Sequence, residues 1–318
     1  MMNTSNYSGA IMKVSVIIPT LNEEGNIEPI YHALRDTFTG IDCSYEIIFS
    51  DGNSSDKTEP EISQLIDLDP HVRLISTTRN FGHMAALIAG YEYCSGDAAI
   101  TMDCDLQHPP ELIREMIMKW KEGFDIVNTT RLDTHRQGIF KKYSSKLFYQ
   151  IFSWLSDFPV VQGSADYRLV DRKVIDQIKK LEESDIFLRG LVHWLGFKST
   201  SIAYVPNTRH SGTSKYSLKK MVQLGLNGIT SFSIKPLKIV TVTGFLVSAS
   251  AFTYLVYAIY IALSYKIEVS GWTSLILSVL FLGGIQLISI GILGEYIGKI
   301  FMESKKRPRY IIDHTRGF

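Results

Sequence analysis

Cysteine is scarce in this chain. Among 318 residues there are three, Cys43, Cys94 and Cys104. They are odd in number and lack the paired spacing of a metal site. That excludes a disulfide-stapled scaffold and suits reduced thiols that pack as small residues in a reducing compartment. Excess charge is missing too. With 33 Lys and Arg against 32 Asp and Glu, the net charge is +1, so no overall basic field calls for nucleic acid. Neither the G-x-x-x-x-G-K-[ST] phosphate loop nor the G-x-G-x-x-G fingerprint occurs, so a nucleotide would be held by other means. There is no internal repeat and no low-complexity segment. Residues 1–12 are polar and lack the apolar core of a signal peptide, so the first part of the chain is expected to stay in the cytoplasm.

Apolar residues are plentiful, 45% of the chain, and unevenly spread. Residues 239–264 and 272–293 contain no charged side chain. Each run is long enough to cross a hydrocarbon core that needs about 20 residues. Two buried core helices would read similarly, but long uncharged runs favour spans. The linker between them is short, which predicts a hairpin with both ends on one side. Lys235 and Lys238 precede it, and Lys299, Lys305, Lys306, Arg307 and Arg309 follow it. The linker carries only Lys266 against Glu268. By the positive-inside rule both ends are cytoplasmic. Tyr265 and Trp272 suit the far interface, and Gly283, Gly284, Gly291, Gly294 and Gly298 would let helices approach closely.

Ahead of the hairpin, β-type runs at 14–18, 45–49, 72–77, 98–102 and 126–128 alternate with helical patterns at 26–37, 56–68, 84–93 and 111–120. This order predicts an α/β unit, a doubly wound and mostly parallel sheet. Residues 141–156 and 217–232 read either as membrane-surface helices or as core-facing ones. The expected organisation is a unit over 1–215, an interfacial helix and linker over 216–238, a hairpin over 239–300 with spans near 239–264 and 272–294, and a tail over 301–318.

The most informative stretch follows the run 98–102: Asp103, Cys104, Asp105, Leu106, Gln107. Ligands of open α/β sheets sit beyond the carboxyl ends of strands. On extended chain Asp103 and Asp105 face one side, and Gln107 continues the alternation. Two carboxylates and an amide oxygen make a hard site suited to Mg²⁺ or Mn²⁺ and a phosphate-bearing substrate. A polar turn in which Asp105 caps the next helix would look the same.

Several segments together resemble the family 2 glycosyltransferases of the GT-A fold, and within them the polyprenyl-phosphate glycosyltransferases. They are Val16 to Glu24 (VIIPTLNEE), Asp51 to Thr58 (DGNSSDKT), Arg79 to Gly82 (RNFG) and Asp103 to Glu111 (DCDLQHPPE). Farther on come Asp166 to Leu169 (DYRL), Phe187 to Gly190 (FLRG), Gly212 to Tyr216 (GTSKY) and Gly294 to Lys299 (GEYIGK) with Arg307 and Pro308. The resemblance spans nearly the whole chain. It implies a GT-A nucleotide-diphospho-sugar transferase fold and a membrane enzyme that moves a sugar, with inversion, from a UDP- or GDP-linked donor to undecaprenyl or dolichyl phosphate. The product would serve cell-envelope glycan modification. The implied partners are the donor, the lipid acceptor and the membrane, with a homo-oligomer possible. The implied site is an inner-membrane protein's cytoplasmic face.

The resemblance assigns Pro19, Asn22, Glu23 and Asp51 to the nucleotide pocket, with Asp51 at the base. It assigns Asp103, Asp105 and Gln107 to the metal and diphosphate, with Cys104 in the same donor pocket. Asp166 falls where the family places its proposed base. Arg131, Arg209 and Lys215 are candidates for holding phosphates. Ser50 departs from the pattern, which often has a second acid there; this bears on nucleotide preference. A phosphate monoester acceptor has a second pKa of about 6 and is mostly dianionic at neutral pH. A strong base is then less needed, and Asp166 is expected to position sugar hydroxyls or Arg168. Competing readings are a processive polysaccharide synthase, which usually carries a Q-x-x-R-W motif absent here, a non-catalytic membrane partner of glycolipid transport, and a nucleotide-sugar sensor.

Overall fold

The structure is a computed structural model that describes residues 11–132, 164–183, 188–207, 233–265 and 271–318. It divides into a sheet unit and a hairpin unit. In the sheet unit, β1 (Lys13–Thr20), β2 (Ser44–Asp51), β3 (Val72–Thr77) and β4 (Ala98–Thr101) alternate with α1 (Ile27–Phe38), α2 (Thr58–Leu68) and α3 (His83–Tyr93). Next come α4 (Leu112–Lys121), β5 (Ile126–Arg131), β6 (Ser164–Asp171), α5 (Arg172–Lys180), α6 (Leu188–Trp194) and β7 (Ser199–Tyr204). The hairpin unit holds α7 (Lys235–Tyr265) and α8 (Trp272–Ser304), and β8 (Ile312–Arg316) returns to the sheet.

The sheet has eight strands in the order β7-β5-β6-β4-β1-β2-β3-β8. β1 pairs in parallel with both β2 and β4. The winding therefore reverses between β1 and β4, and a crevice opens there beyond the carboxyl ends of the strands. Central strands covered on both faces read as unbroken apolar runs; Val14, Val16, Ile17 and Ile18 have no exposed surface. The helices bury one stripe each. In α1 the buried set Ile27, Ile30, Tyr31, Leu34 and Phe38 follows helical spacing. Gly90 in α3 presses on β1, where a Cβ would collide with Ile17 Cγ2.

The expected mostly parallel, doubly wound sheet is present. What the alternation did not predict is its antiparallel part. β6 pairs antiparallel with both β4 and β5, and β8 pairs antiparallel with β3. The segment expected to be a tail is thus an edge strand. Thr78 N donates to Ile311 O at 3.0 Å, Arg316 pairs with Asp67 at 3.1 Å, and Arg73 stacks on Phe318 at 5.0 Å.

At the opposite end of β1 and β2 a fully buried carboxylate, Glu46, pairs with Lys13 at 2.7 Å and Arg73 at 3.0 Å. It also accepts from Ser15 Oγ at 2.5 Å and from Ser95 N and Oγ at 2.7 and 2.8 Å. Burial alone would raise its pKa, but the bonds from Lys13, Ser15 and Ser95 outweigh it and bring the value down to about 2.

In the hairpin unit, the windows Lys235–Ile261 and Phe281–Ser304 are long and apolar enough to cross a membrane, by length and composition, and neither is buried within the protein. The hydroxyls of Thr241, Ser250, Thr253 and Ser289 each donate to a carbonyl one turn back at 2.8–3.0 Å. That satisfies polar groups in helices with little else to offer them. Tyr296 Oη donates to Ser233 O at 2.7 Å, joining the end of α8 to the segment before α7.

Because Glu46 is depressed in the folded state, its stabilisation is complete above an ordinary carboxylate pKa near 4.5 and is lost as pH falls toward about 2. Glu46→Gln should lower stability by about 3 kcal/mol at neutral pH and flatten the acid limb of the thermal-unfolding profile. An unchanged profile would contradict this pairing.

Candidate functional site

Two turns on neighbouring strands are sewn together at the crevice. In the parallel register Pro19 lies opposite Ser50 and Thr20 opposite Asp51. Asp51 has no exposed surface. Its carboxylate accepts from Thr20 Oγ1 at 3.0 Å, from Ser54 Oγ at 2.6 Å and from Ser54 N at 2.8 Å. Asn22 sits at φ 54 and Asn53 at φ 61, a left-handed conformation that Asn tolerates better than most residues. Asn22 Oδ1 accepts from Ser55 N at 2.9 Å, and Asn22 N donates to Ser54 Oγ at 2.8 Å. Glu23 N donates to Thr58 Oγ1 at 2.8 Å, and Glu23 Oε2 accepts from Asn26 Nδ2 at 2.7 Å. Pro19, Asn22, Glu23 and Asp51 therefore share one stiff rim. Asp51 holds that rim with its carboxylate oxygens, whereas the buried Ser50 Oγ has no partner among the described residues.

The Asp103 stretch is not extended. β4 ends at Thr101, and Met102 N donates to Ile17 O at 3.1 Å. Leu106 then takes φ 60 and turns the chain. The alternation expected through Gln107 is thereby broken, and the two carboxylates differ: the Asp103 side chain is 43% exposed while Asp105 is buried. Asp105 Oδ1 accepts from Gln107 N at 3.1 Å, an Asx-type turn. Gln107 is tied to the end of β5 and to the segment that follows β7. Its Oε1 accepts from Arg131 Nη1 at 3.4 Å, and its carbonyl accepts from Asn207 N at 3.3 Å. Cys104 packs into the core, and burial pushes its thiol well above the usual range, so it is no nucleophile.

His108 braces this turn. Its Nδ1 accepts from Asp103 N at 3.0 Å, and its Nε2 lies 3.7 Å from Asp103 Oδ2. The ring stacks on Tyr167 at 4.9 Å, and Tyr167 Oη donates to Pro109 O at 2.7 Å. Burial lowers the His108 pKa, with Asp103 and Asp105 pulling the other way; the ring is a neutral support.

Asp166 faces Asp103 for a topological reason. In the antiparallel β4–β6 register Thr101, the last residue of β4, lies opposite Arg168, so Asp166 falls beside the turn that carries Asp103. Asp166 is buried. Arg189 grips it through two bonds, Nε to Oδ1 at 3.0 Å and Nη2 to Oδ2 at 2.8 Å. Arg168 Nη2 donates to Oδ1 at 3.2 Å. His83 Nε2 stands 3.8 Å from Asp166 Oδ2 and 4.0 Å from Asp103 Oδ1. Burial by itself would raise the Asp166 pKa, but Arg189, then Arg168 and His83, pull it far below the ordinary carboxylate range. A carboxylate so held is a poor proton acceptor.

Arg209 and Lys215 lie outside the described residues, as do the runs 141–156 and 217–232. Three residues at the crevice carried no expected role: His83, His108 and Arg189. Each adjoined a motif. His83 follows the R-N-F-G run, His108 follows Gln107, and Arg189 lies within F-L-R-G.

Among the described residues no group of three or more His, Cys, Asp and Glu is arranged to hold a metal by itself. Asp103, Asp105 and Gln107 carry hard oxygen donors, Asp103 part-exposed and Asp105 buried. They fit a Mg²⁺- or Mn²⁺-type ion that keeps several waters and takes the rest of its shell from substrate phosphates.

Comparison with known proteins gives two family matches. The model described as "Glycosyl transferase family 2" matches residues 15–179, and the one described as "GtrB C-terminal hairpin" matches residues 235–300. The chain is 41% identical over 306 residues to "Uncharacterized glycosyltransferase YkcC" of Bacillus subtilis (strain 168), covering 96% of this chain and 95% of that protein. It is 41% identical over 305 residues to "Bactoprenol glucosyl transferase" of Shigella phage SfV, covering 96% and 99%. Among solved structures, mannosyl-3-phosphoglycerate synthase from Rubrobacter xylanophilus superposes with a TM-score of 0.47 at 15% identity, over 68% of this chain and 71% of that one.

The left-handed Asn22 gives a test of the rim. Asn22→Gly and Asn22→Ala both lose the bonds to Ser55, but only Gly takes up the left-handed backbone without strain. The Ala variant should be about 1 kcal/mol less stable than the Gly variant in denaturant unfolding. Equal stability would contradict a strained, side-chain-held turn.

Proposed function

Because this chain belongs to glycosyl transferase family 2, we propose that it moves a sugar from a nucleoside-diphosphate donor to a polyprenyl phosphate at a membrane surface. The observation that carries this reading is the pairing in one chain of a crevice built on Asp103 with an apolar two-helix hairpin. A water-soluble donor would meet the first, and a lipid acceptor would arrive beside the second. The printed name of the phage relative, a bactoprenol glucosyl transferase, supports the same pair of substrates.

In this reading the rim of Pro19, Asn22, Glu23 and Asp51 receives the nucleotide, with Asp51 shaping the pocket from beneath. Asp103, Asp105 and Gln107 would hold a divalent cation, Mg²⁺ or Mn²⁺. When bound, such an ion neutralises the charge that grows on the departing diphosphate. Arg131, tied to Gln107, adds positive charge on the same side, and Arg209 and Lys215 are assigned to the acceptor side. The acceptor phosphate is already ionised, so its oxygen attacks the anomeric carbon as the sugar–diphosphate bond breaks, and no protein base is required. Asp166 then acts as an anchor for Arg168 and Arg189.

The proposed orientation puts the sheet unit and both ends of the hairpin in the cytoplasm. Chain connectivity supports it. The segment leaving α8 enters β8 within a few residues and joins the sheet. Lys305, Lys306, Arg307 and Arg309 mark the same end.

The test is release of nucleoside diphosphate by the purified full-length protein with UDP- and GDP-sugars. Release should require both added polyprenyl phosphate and Mg²⁺ or Mn²⁺, and EDTA should stop it. Release without lipid, or none with any donor, would contradict the proposal. Asp103→Asn or Asp105→Asn should lower turnover at least about a hundredfold, of the order seen when charge stabilisation is removed. Asp166→Asn should keep partial activity; loss equal to that of Asp103→Asn would restore Asp166 as a base.

A further inference from the structure

The loop beyond β3 is supported from outside the rim it adjoins. Thr78 is exposed, yet both sides of its backbone are held. Its N–H donates to Ile311 O at 3.0 Å, and its carbonyl accepts from Asn53 Nδ2 at 3.0 Å. Asn53 stands two residues past Asp51 in a left-handed conformation. Thr77 Oγ1 lies 3.0 Å from Asp51 O and 2.9 Å from Arg79 O, within donating distance of each. Asn80 Oδ1 accepts from Gly82 N at 2.8 Å and packs over Gly52, where a Cβ would stand 3.7 Å from it. The turn at 51–54 and the loop at 77–82 are therefore one network, and Ile311 is its outer support. β8 fixes Ile311 in turn. The ladder shifts between Ser76 and Thr77, so Ile312 faces Thr77 and Ile311 reaches Thr78. At the other end of the strand Gly317, at φ 82, lies so close to β3 that a Cβ would come 2.5 Å from Val72 O; only glycine fits there. His314 Nε2 meets Glu59 Oε1 at 3.1 Å, and Tyr310 bonds to Glu92. Termini fray unless tied down, and this segment is tied along its whole length.

We infer that β8 is a positioning element of the nucleotide site: through Ile311 and Thr78 it holds Asn53 and the Arg79–Gly82 loop ready for the donor. The inference rests on the assignment of the nucleotide to this rim, made above, and adds how the rim is kept in shape. Without β8 the Thr78 N–H would turn to water, β3 would become an open edge, and the Asn53–Thr78 bond would lose its fixed acceptor. The nucleotide would then have to order the loop as it binds, and that ordering weakens affinity. Because β8 follows the hairpin in the chain, the pocket reaches its binding-competent form only once the chain beyond α8 has docked on the sheet.

Equilibrium binding of UDP and of GDP, each with Mn²⁺, to the full-length protein in detergent reads the pocket without turnover. A variant ending at Arg309 should bind the better nucleotide about tenfold more weakly than the native protein. Asn53→Gly keeps the left-handed backbone and leaves β8 in place, but it loses the bond to Thr78. It should weaken binding about fivefold, the order expected of one hydrogen bond. The two changes together should weaken binding little more than the deletion alone, because both act through the Thr78 peptide. In steady state each variant should raise the donor KM and leave the acceptor KM within about twofold. The inference is overturned if the deletion leaves nucleotide affinity unchanged, if the two losses multiply in full, if the acceptor KM rises as much as the donor KM, or if only thermal stability falls. Should the deletion variant not fold, Asn53→Gly decides alone, and unchanged nucleotide affinity overturns the inference. A native protein that binds neither nucleotide would sink this inference together with the reaction proposed above. Nucleotide binding that depends on β8, without any sugar transfer, would uphold the role of β8 and sink only the reaction.

Discussion

The carboxylate of Asp166 is buried, and burial of an unpaired carboxylate costs several kcal/mol. Arg168 and Arg189 offset that cost from two directions, one from the same strand and one from α6. This pairing fixes the geometry of the crevice. It ties β6 to the first turn of α6, beside the strand β4 that pairs with β6. It also orients the part-exposed guanidinium of Arg189. Removing the negative charge from Asp166 would leave the buried Arg168 and the part-exposed Arg189 without their shared anion, which is why a positioning role and a structural role meet in one residue.

Around this centre the sheet supplies position and the turns supply chemistry. The reversal of winding between β1 and β4 opens the crevice. The Asp51 network stiffens one wall, and His108 stacked on Tyr167 braces the other. The C-terminal strand β8 adds a mechanical link. The chain passes through the hairpin and comes back to pair with β3, so the sheet unit is attached to the hairpin by chain on both sides.

The parallel half of the fold could be read from the sequence because strands buried on both faces leave unbroken apolar runs, such as Val14 to Ile18. The antiparallel strands could not. β6 alternates charged and apolar residues, Asp166 and Arg168 against Tyr167 and Leu169, and its pairing with β4 is a long-range contact without local signal. β8 carries Asp313, His314 and Arg316 and has no apolar face to betray a strand. The Asp103 turn was legible by residue type but not by geometry. Leu106 in a left-handed conformation gives no warning, since Leu seldom adopts it, and it turns the chain between Asp105 and Gln107. Arg189 stood in a recognised motif, yet only the fold shows that it reaches Asp166.

The central claim is that one sugar passes to a lipid phosphate in this crevice. Mass spectrometry of the lipid fraction after incubation with nucleotide sugar and a short polyprenyl phosphate tests it most directly. The account predicts a single new species, the polyprenyl phosphate bearing one sugar through its phosphate oxygen. A lipid left unmodified while the donor is consumed, or one bearing a growing glycan chain, would contradict it.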